Sequence, residues 1–356
     1  MKPCLRLLLA LLAALWLPCT ARADSASLLA QAQAAKPTRY AFAVSKGAEL
    51  RSTSDNRSYT AWWAPAGTPK GVIVALHGHD SWALDELFLW QPYAEREGYA
   101  VLALQWWFGS GEATSDYYTP DEMYPIFSAR LAEKGVKPGS AMFMGYSRGA
   151  ANTYALAALD TAGPAAKRWF GFVLANSGGV MLGYPPSADV DRGKYGTAPY
   201  AGVPWGMYCG ELDPDPTLSG CPAMSFSRDW VTRLGGAVVL YIDDPAGDHG
   251  GFMTRPTNVE SALATYAQVL AGTYAMPGCT LSSSPASVRP GTSVTLTATC
   301  TPAATTYRWT GGSCMGTTGA RCTTSPSTSV SRPMPLRASA SAAGLGSLVL
   351  LLLLRP

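Results

Sequence analysis

Histidine is scarce in this chain, with only three among 356 residues. They are His77, His79 and His249. An imidazole is the usual general base of an enzyme that works near neutral pH, so very few positions can supply one here. Because His77 and His79 lie early in the chain, His249 is the only histidine in its second half.

Charge of either sign is also low, since Lys, Arg, Asp and Glu make up 14% of the chain. Residues 1–23 contain Lys2, Arg6 and Arg22 and no acidic residue. Without these three, 24 of the 27 basic residues remain against 24 acidic residues, a net charge of zero. The balance gives no indication of the basic surface that nucleic-acid binding uses, so no nucleic-acid partner is expected.

Long apolar runs are absent, and a helix needs about 20 apolar residues to cross a bilayer. The apolar run at residues 7–17 follows a basic start and precedes the small-residue site Ala21-Arg22-Ala23. This layout is typical of a secretory signal peptide. We therefore predict a signal peptide at residues 1–23, with export to the periplasm, the cell surface or the medium.

Cysteines with Cys-x-x-Cys spacing are absent too, so we expect no metal, and nothing in the sequence indicates a cofactor. Cys4 and Cys19 would leave with the signal peptide. An even number remains, which implies disulfides in an exported chain. Local spacing favours three pairs among the fifteen possible connectivities, namely Cys209–Cys221, Cys279–Cys300 and Cys314–Cys322.

Alternating strands and helices dominate the middle of the chain. Apolar runs predict buried strands at residues 71–76, 99–104, 141–144, 170–175, 203–208 and 237–242. Helix-like stretches lie between and after them, at residues 84–97, 121–133, 150–159, 225–234 and 259–271. The alternation predicts an α/β fold with a doubly wound, mostly parallel sheet and a site at the carboxyl ends of its strands. Two further β-like runs precede it, at residues 40–44 and 58–63.

Composition shifts to Ser, Thr, Pro and Gly after residue 276. The cysteines and Trp309 in this part resemble those of immunoglobulin-like modules at the C-termini of secreted bacterial enzymes. A full sandwich needs about 100 residues, so the module would be truncated. A Ser/Thr-rich linker is the alternative. The predicted organisation is a signal peptide at 1–23, an α/β domain at 24–276, a small all-β module at 277–332 and a low-complexity, apolar tail at 333–356.

The tail ends in an apolar run, residues 345–354, followed by Arg355. It resembles the C-terminal sorting tails of some exported bacterial proteins, which implies attachment to a membrane or cell surface. A frayed apolar tail, or a sequence altered near its end, is the alternative. We expect the protein to be a monomer.

The sequence Gly-Tyr-Ser-Arg-Gly at residues 145–149 lies between a predicted strand and a predicted helix. Strand, Gly-x-Ser-x-Gly and helix form the arrangement in which a nucleophilic serine stands on a strained turn. Small residues around Ser147 would let the helix pass close to the strand. The serine needs a base, and His249 is nearly forced to be that base.

An acid between serine and histidine should orient the base. Asp213 is the best placed, because it follows the predicted strand at residues 203–208. Its rivals are Glu211, Asp215, Asp243 and Asp244. A developing oxyanion needs backbone N–H donors, and those of Arg148 and His79 are expected to supply them. The predicted role of His77 is to tie down the loop of His79 by hydrogen bonds.

These motifs resemble those of α/β-hydrolases of the dienelactone-hydrolase-like and polyester-depolymerase-like esterases. The resemblance covers about residues 40–272 and rests on Leu-His-Gly-His at 76–79, the serine motif, Asp213 and Asp-His-Gly at 248–250. It implies a serine ester hydrolase with Ser147 as nucleophile, His249 as base and Asp213 as its orienting acid. The substrate would be a small or a polymeric ester. A serine peptidase on the same scaffold and a non-catalytic surface binding protein stay open.

Aromatic residues cluster in the loop after the second predicted strand of the sheet. Such residues are commonly packing residues, but this loop should lie on the rim of the site. The sequence therefore offers a substrate rim made of Trp106, Trp107, Tyr117 and Tyr118.

Overall fold

The computed structural model describes residues 24–274 without a gap and shorter stretches beyond them. The shorter stretches are residues 278–284, 293–301, 306–310, 314, 320–325, 334–341 and 348–352. The predicted signal peptide lies outside the described residues. Among the helices described, none combines the length and the apolarity that a bilayer crossing requires.

An eight-stranded sheet forms the centre of residues 24–274. Its strands are β1 (Glu49–Ser52), β2 (Tyr59–Trp63), β3 (Val72–Leu76), β4 (Ala100–Leu104), β5 (Ala141–Tyr146), β6 (Phe170–Asn176), β7 (Pro204–Gly210) and β8 (Ala237–Asp244). They lie in the order β1-β2-β4-β3-β5-β6-β7-β8. The pairs β1–β2 and β2–β4 are antiparallel, and every other neighbouring pair is parallel. The six parallel strands therefore end at one edge of the sheet.

Helices connect these strands. They are α1 (Ser25–Ala35), α2 (Pro37–Ser45), α3 (Ala83–Glu97), α4 (Pro120–Glu133), α5 (Arg148–Ala162), α6 (Pro185–Asp191), α7 (Cys221–Arg233), α8 (Gly251–Thr254) and α9 (Pro256–Leu270), with 3-10 turns at Thr114–Asp116 and Ala165–Lys167. Strands β3 and β4 are buried at every residue, which explains why the sequence is apolar along their whole length. The predicted fold class, α/β with a mostly parallel sheet, is confirmed.

Residues 40–44, which the sequence predicted as a strand, belong to helix α2. The helix starts at Pro37, whose missing N–H is not needed in a first turn. Phe42 packs edge-on against Phe88 of α3, with 4.8 Å between ring centroids, and Ala43 is buried. The Tyr, Phe and Val of this segment favour strands by propensity, but packing against α3 determined the outcome. The prediction of a strand was wrong.

Two small antiparallel sheets follow the α/β domain. Their strands are β9 (Gly278–Ser284), β10 (Val294–Thr301), β11 (Thr306–Thr310), β12 (Arg321–Thr324), β13 (Met334–Ser341) and β14 (Leu348–Leu352). Strand β10 lies between β12 and β9, and β13 lies between β11 and β14. Strands β13 and β14 fall in the predicted tail. Because β13 pairs with β11, strand pairing crosses the predicted boundary after residue 332.

Two of the predicted disulfides are present. Cys209–Cys221 joins the end of β7 to the start of α7, and Cys314–Cys322 links Cys314 to strand β12. Cys279 and Cys300 stand opposite each other in the register of β9 and β10. Their side chains lie outside the described residues, so the third disulfide stays a prediction.

Candidate active site

Three side chains from three separate segments form a hydrogen-bonded chain at the carboxyl edge of the sheet. His249 Nε2 lies 2.8 Å from Ser147 Oγ, and His249 Nδ1 lies 2.7 Å from Asp213 Oδ2. Ser147 follows β5, Asp213 follows β7 and His249 follows β8. If the carboxylate accepts a hydrogen bond from Nδ1–H, the ring proton stays on Nδ1. In that tautomer Nε2 has a free lone pair that can accept the serine hydroxyl proton. The structure thus brings together the serine, base and acid that the sequence proposed.

Ser147 stands on a strained turn between β5 and α5. Its φ of 55° and ψ of −121° lie in a region that residues with a Cβ rarely adopt. Its backbone N–H donates to the carbonyl oxygen of Asn176, at the end of the neighbouring strand β6, over 2.8 Å. Strain of this kind persists only where the surrounding structure holds it, and it is typical of a turn that exposes a nucleophile.

The turn also requires very close backbone approach at two glycines. A Cβ at Gly145 would lie 2.5 Å from the carbonyl oxygen of Gly149. A Cβ at Gly149 would lie 2.5 Å from the carbonyl oxygens of both Leu76 and His77. Real Cβ atoms do not approach backbone atoms so closely, so glycine is required at both positions. The prediction that small residues let the helix pass close to the sheet is confirmed.

Asp213 has both of its carboxylate oxygens engaged. Oδ2 faces the histidine, and Oδ1 accepts hydrogen bonds from the Ser219 hydroxyl and the Asp215 backbone N–H, each over 2.9 Å. The side chain is 1% exposed. The Cys209–Cys221 disulfide closes the loop that contains both Asp213 and Ser219. These contacts fix the orientation of the carboxylate towards the imidazole.

The rival carboxylates have other surroundings. Asp215 Oδ1 accepts hydrogen bonds from two backbone N–H groups of its own loop. Asp244 accepts a hydrogen bond from Asn258 over 3.0 Å. Glu211 is exposed, and Asp243 Oδ1 lies 3.5 Å from a disulfide sulfur. Among the five candidates, the geometry favours Asp213.

Backbone N–H groups stand beside the serine on two segments. Arg148 is the first residue of α5, so its N–H has no acceptor within the helix. The loop of His79 lies against the serine, since a Cβ at Gly78 would be 3.2 Å from Ser147 Cβ. Within the described part of the chain, neither the His79 nor the Arg148 N–H donates to a protein acceptor. Their use as an oxyanion hole stays a prediction.

His77 anchors the loop that carries His79. Its ring is fully buried, with Nδ1 2.8 Å from the carbonyl oxygen of Gly78. The backbone N–H of Trp106 donates to Nε2 over 3.3 Å, and the Trp106 indole donates to the His77 carbonyl over 2.8 Å. Desolvation lowers the pKa of His77 to about 4, so the ring is neutral with its proton on Nδ1. The predicted role of His77 in tying down this loop is confirmed.

The burial of His77 predicts acid sensitivity of the fold. Its ordinary pKa is 6.5, and its pKa in the folded protein is about 4, so the unfolded chain binds the proton more tightly. The contribution of His77 is fully present above pH 6.5 and is lost as the pH falls towards 4, by about 3 kcal/mol. Urea unfolding of His77→Asn across this range should show a free energy that depends less on pH than that of the wild type. The exposed His79→Asn serves as control, and equal slopes for His77→Asn and the wild type would contradict the expectation.

A cleft of about 500 Å³ opens at the serine and the histidine. Its apolar lining includes Ala151, Met181, Pro214 and Leu218. Besides Asp213, the charged residues Arg148 and Asp215 line it, and both have protein partners. His249 is 30% exposed, so the imidazole is accessible from the cleft. A cleft with this lining suits an uncharged, mainly apolar group.

The predicted aromatic rim needs correction. Trp106, Trp107, Tyr117 and Tyr118 are between 1% and 7% exposed, and none of them lines the cleft. They pack among themselves and their neighbours, as in the pair Trp106–Tyr117 with 4.7 Å between ring centroids. Aromatic side chains bury large apolar areas, and here that burial stabilises the loop that contains these four residues.

The cleft wall formed by residues 177–181 was not predicted. Ser177 has a positive φ of 50° directly after β6, and a Cβ at Gly178 would lie 2.2 Å from the carbonyl oxygen of Ser147. The signal in the sequence was the run Asn-Ser-Gly-Gly at residues 176–179, which places turn residues at the carboxyl end of a buried strand.

Comparison with known proteins shows likeness in structure rather than in sequence. No protein-family model and no curated protein sequence matches the chain. The structure of 2,6-dihydroxy-pseudo-oxynicotine hydrolase aligns with 69% of this chain and 75% of its own, with 18% identity and a TM-score of 0.51. Esterase LipW from Mycobacterium marinum aligns with 70% of this chain and 90% of its own, with 16% identity and a TM-score of 0.46. Acyl-protein thioesterase 2 from Zea mays aligns with 59% of this chain and 98% of its own, with 17% identity and a TM-score of 0.43. At these identities the likeness concerns the fold alone, and the first of the three structures supports it.

Proposed function

We propose that this chain, which has the α/β-hydrolase fold, is an exported serine hydrolase that cleaves carboxylic esters. The observation that carries the proposal is the hydrogen-bonded chain from Asp213 through His249 to Ser147, open to the cleft. Serine is a weak nucleophile unless a base accepts its proton, and this arrangement supplies the base and its orienting carboxylate.

In the proposed mechanism, Ser147 Oγ attacks the ester carbonyl carbon while His249 Nε2 takes the hydroxyl proton. The carbonyl oxygen becomes an oxyanion and accepts hydrogen bonds from the backbone N–H groups of His79 and Arg148. When the intermediate collapses, the imidazolium donates its proton to the leaving alcohol. Water then attacks the acyl carbon with His249 again as base, the bond to Ser147 Oγ breaks, and the imidazolium returns the proton to Oγ as the carboxylic acid leaves. Asp213 stabilises the imidazolium at each stage.

An ester with uncharged groups near the scissile bond fits the cleft best. The apolar lining of the cleft favours an alkyl or aryl group, and its charged residues Arg148, Asp213 and Asp215 all have protein partners. Both small esters and segments of a polyester satisfy these requirements. The peptidase alternative needs a residue that binds a peptide terminus, and the paired state of Arg148 and Asp215 gives it less support.

Export belongs to the same proposal. Residues 1–23 have the layout of a signal peptide, and the disulfides Cys209–Cys221 and Cys314–Cys322 are typical of oxidising compartments. Residues 277–356 would then form an accessory segment that holds the hydrolase at a membrane or cell surface.

A fluorophosphonate probe tests the proposal, because it reacts with a serine that has an activated hydroxyl. We expect one adduct at Ser147 by peptide mass spectrometry, and none after heat denaturation. Matched p-nitrophenyl ester and p-nitroanilide substrates then separate esterase from peptidase. Absence of labelling in the folded protein would favour a binding protein, and preference for the anilide would favour a peptidase.

A further inference from the structure

A carboxylate outside the Ser–His–Asp chain holds both segments that carry the candidate oxyanion-hole donors. We infer that Glu112 is a positioning residue for the proposed hydrolysis, fixing the segment of His79 relative to the segment of Arg148. The inference rests on the proposed function and goes beyond it, because Glu112 lies in neither segment.

Glu112 bridges two side chains with its two oxygens. Oε1 lies 2.7 Å from His79 Nε2, and Oε2 lies 2.6 Å from Arg148 Nη1. These are the two residues whose backbone N–H groups are proposed to bind the oxyanion. One carboxylate therefore connects the loop after β3 to the first turn of α5, next to the serine.

The loop that carries Glu112 is itself firmly attached to the domain. The Arg148 guanidinium lies 4.0 Å from the centre of the Tyr117 ring and donates to the Tyr117 hydroxyl over 3.0 Å. The indole of Trp107 donates to the carbonyl oxygen of Gly111 over 3.0 Å. Since Trp107 and Tyr117 are buried, their contacts hold the loop in place, and Glu112 is positioned to contact both segments.

The charge of Glu112 is maintained by its partners. Desolvation raises the pKa of this carboxyl, but the hydrogen bonds from His79 and Arg148 lower it by more. The net effect is a pKa below the usual range of a glutamate. The carboxylate is therefore ionised at neutral pH. A glutamine keeps one acceptor oxygen but has no charge, and its NH₂ group can contact His79 only through an unprotonated ring nitrogen, so the bridge is weakened.

Loss of this bridge should affect the rate more than the fold. Exposed ion pairs contribute little to stability, and Glu112 is 57% exposed. Turnover is more sensitive, because small displacements of groups that stabilise a transition state lower the rate steeply. We expect Glu112→Gln to keep the melting temperature of the wild type and to lower kcat about tenfold with little change in KM.

A trifluoromethyl ketone isolates the role of the oxyanion donors. Ser147 Oγ bonds to the ketone carbon, the hydroxyl proton passes to His249, and the ketone oxygen becomes an oxyanion that needs the His79 and Arg148 N–H groups. The corresponding carbinol fills the same cleft without forming an oxyanion. Glu112→Gln should weaken ketone binding about tenfold and leave carbinol binding unchanged.

Glu95→Gln is the matched control. Glu95 is 53% exposed and also accepts hydrogen bonds from two side chains, those of Lys46 and Gln91, but it lies on the outside of α3. Its loss should change neither kcat nor ketone binding. In an Arg148→Gln, His79→Gln background, Glu112→Gln should cause no further loss, since both partners are already gone.

Two outcomes overturn the inference. If Glu112→Gln binds the ketone as tightly as the wild type does, Glu112 does not act through the oxyanion donors. The same conclusion follows if the substitution weakens carbinol binding as much as ketone binding. Ser147→Ala separates this from failure of the proposed function. Turnover that survives Ser147→Ala overturns that function and the inference with it, whereas loss of turnover in Ser147→Ala beside unchanged ketone binding in Glu112→Gln overturns the inference alone.

Discussion

Replacing Ser147 with alanine will lower turnover of a p-nitrophenyl ester by about 100,000-fold while the protein stays folded. In the proposed mechanism the Ser147 hydroxyl oxygen attacks the ester, and its base, His249 Nε2, lies 2.8 Å away. Alanine keeps the Cβ, so it places no new atom in the turn at φ 55°. The remaining rate should come from the backbone N–H groups and from binding in the cleft.

The measurement compares kcat/KM and thermal unfolding for the wild type and Ser147→Ala, purified in parallel. Fluorophosphonate labelling should be lost with the activity. A folded Ser147→Ala protein that retains turnover would contradict the proposed mechanism, because no other residue of the hydrogen-bonded chain can replace the nucleophile.

Replacing Asp213 with asparagine should lower kcat by about 10,000-fold with a smaller effect on KM. The asparagine amide can donate a hydrogen bond to His249 Nδ1, which would place the imidazole proton on Nε2. In that tautomer Nε2 cannot accept the serine proton. The variant also lacks the carboxylate that would stabilise the imidazolium formed during the reaction, since Asp213 Oδ2 lies 2.7 Å from His249 Nδ1.

Glu211→Gln is the control for Asp213→Asn. Glu211 is two residues away in the same loop, but it is exposed, and we expect near-wild-type kcat. Circular dichroism should show that the domain stays folded in both variants, although each substitution lies in the loop closed by Cys209–Cys221. A large loss in Glu211→Gln together with activity in Asp213→Asn would show that the wrong acid was assigned.

The central sheet could be predicted because burial on both faces leaves a direct record in the sequence. Strands β3 and β4 are apolar and buried at every residue. The serine, histidine and acid could be proposed because only one histidine follows the serine motif. The sequence already favoured Asp213, but Glu211 and Asp215 lie only two residues from it, and the structure shows that it is Asp213 that contacts His249.

The remaining features depend on contacts between distant segments. Residues 40–44 have strand propensity, and only packing against α3 makes them helical. Trp107 and Tyr117 could have been exposed or buried, because aromatic residues occur in both environments. Glu112 stands in a polar loop with no motif of its own, and its contacts with His79 and Arg148 join segments that are distant in the sequence.

The distance along the chain between Ser147 and His249 affects when the site can form during folding. The two residues are 102 positions apart, yet their side chains are 2.8 Å apart. Strands β6, β7 and β8 must all add to β5 before the histidine reaches the serine. Contacts of such high sequence separation require a large loss of chain entropy and form late. In the proposed mechanism, reactivity at Ser147 therefore requires the completed domain, and an intermediate with only the β3–β5 half of the sheet would contain Ser147 without His249.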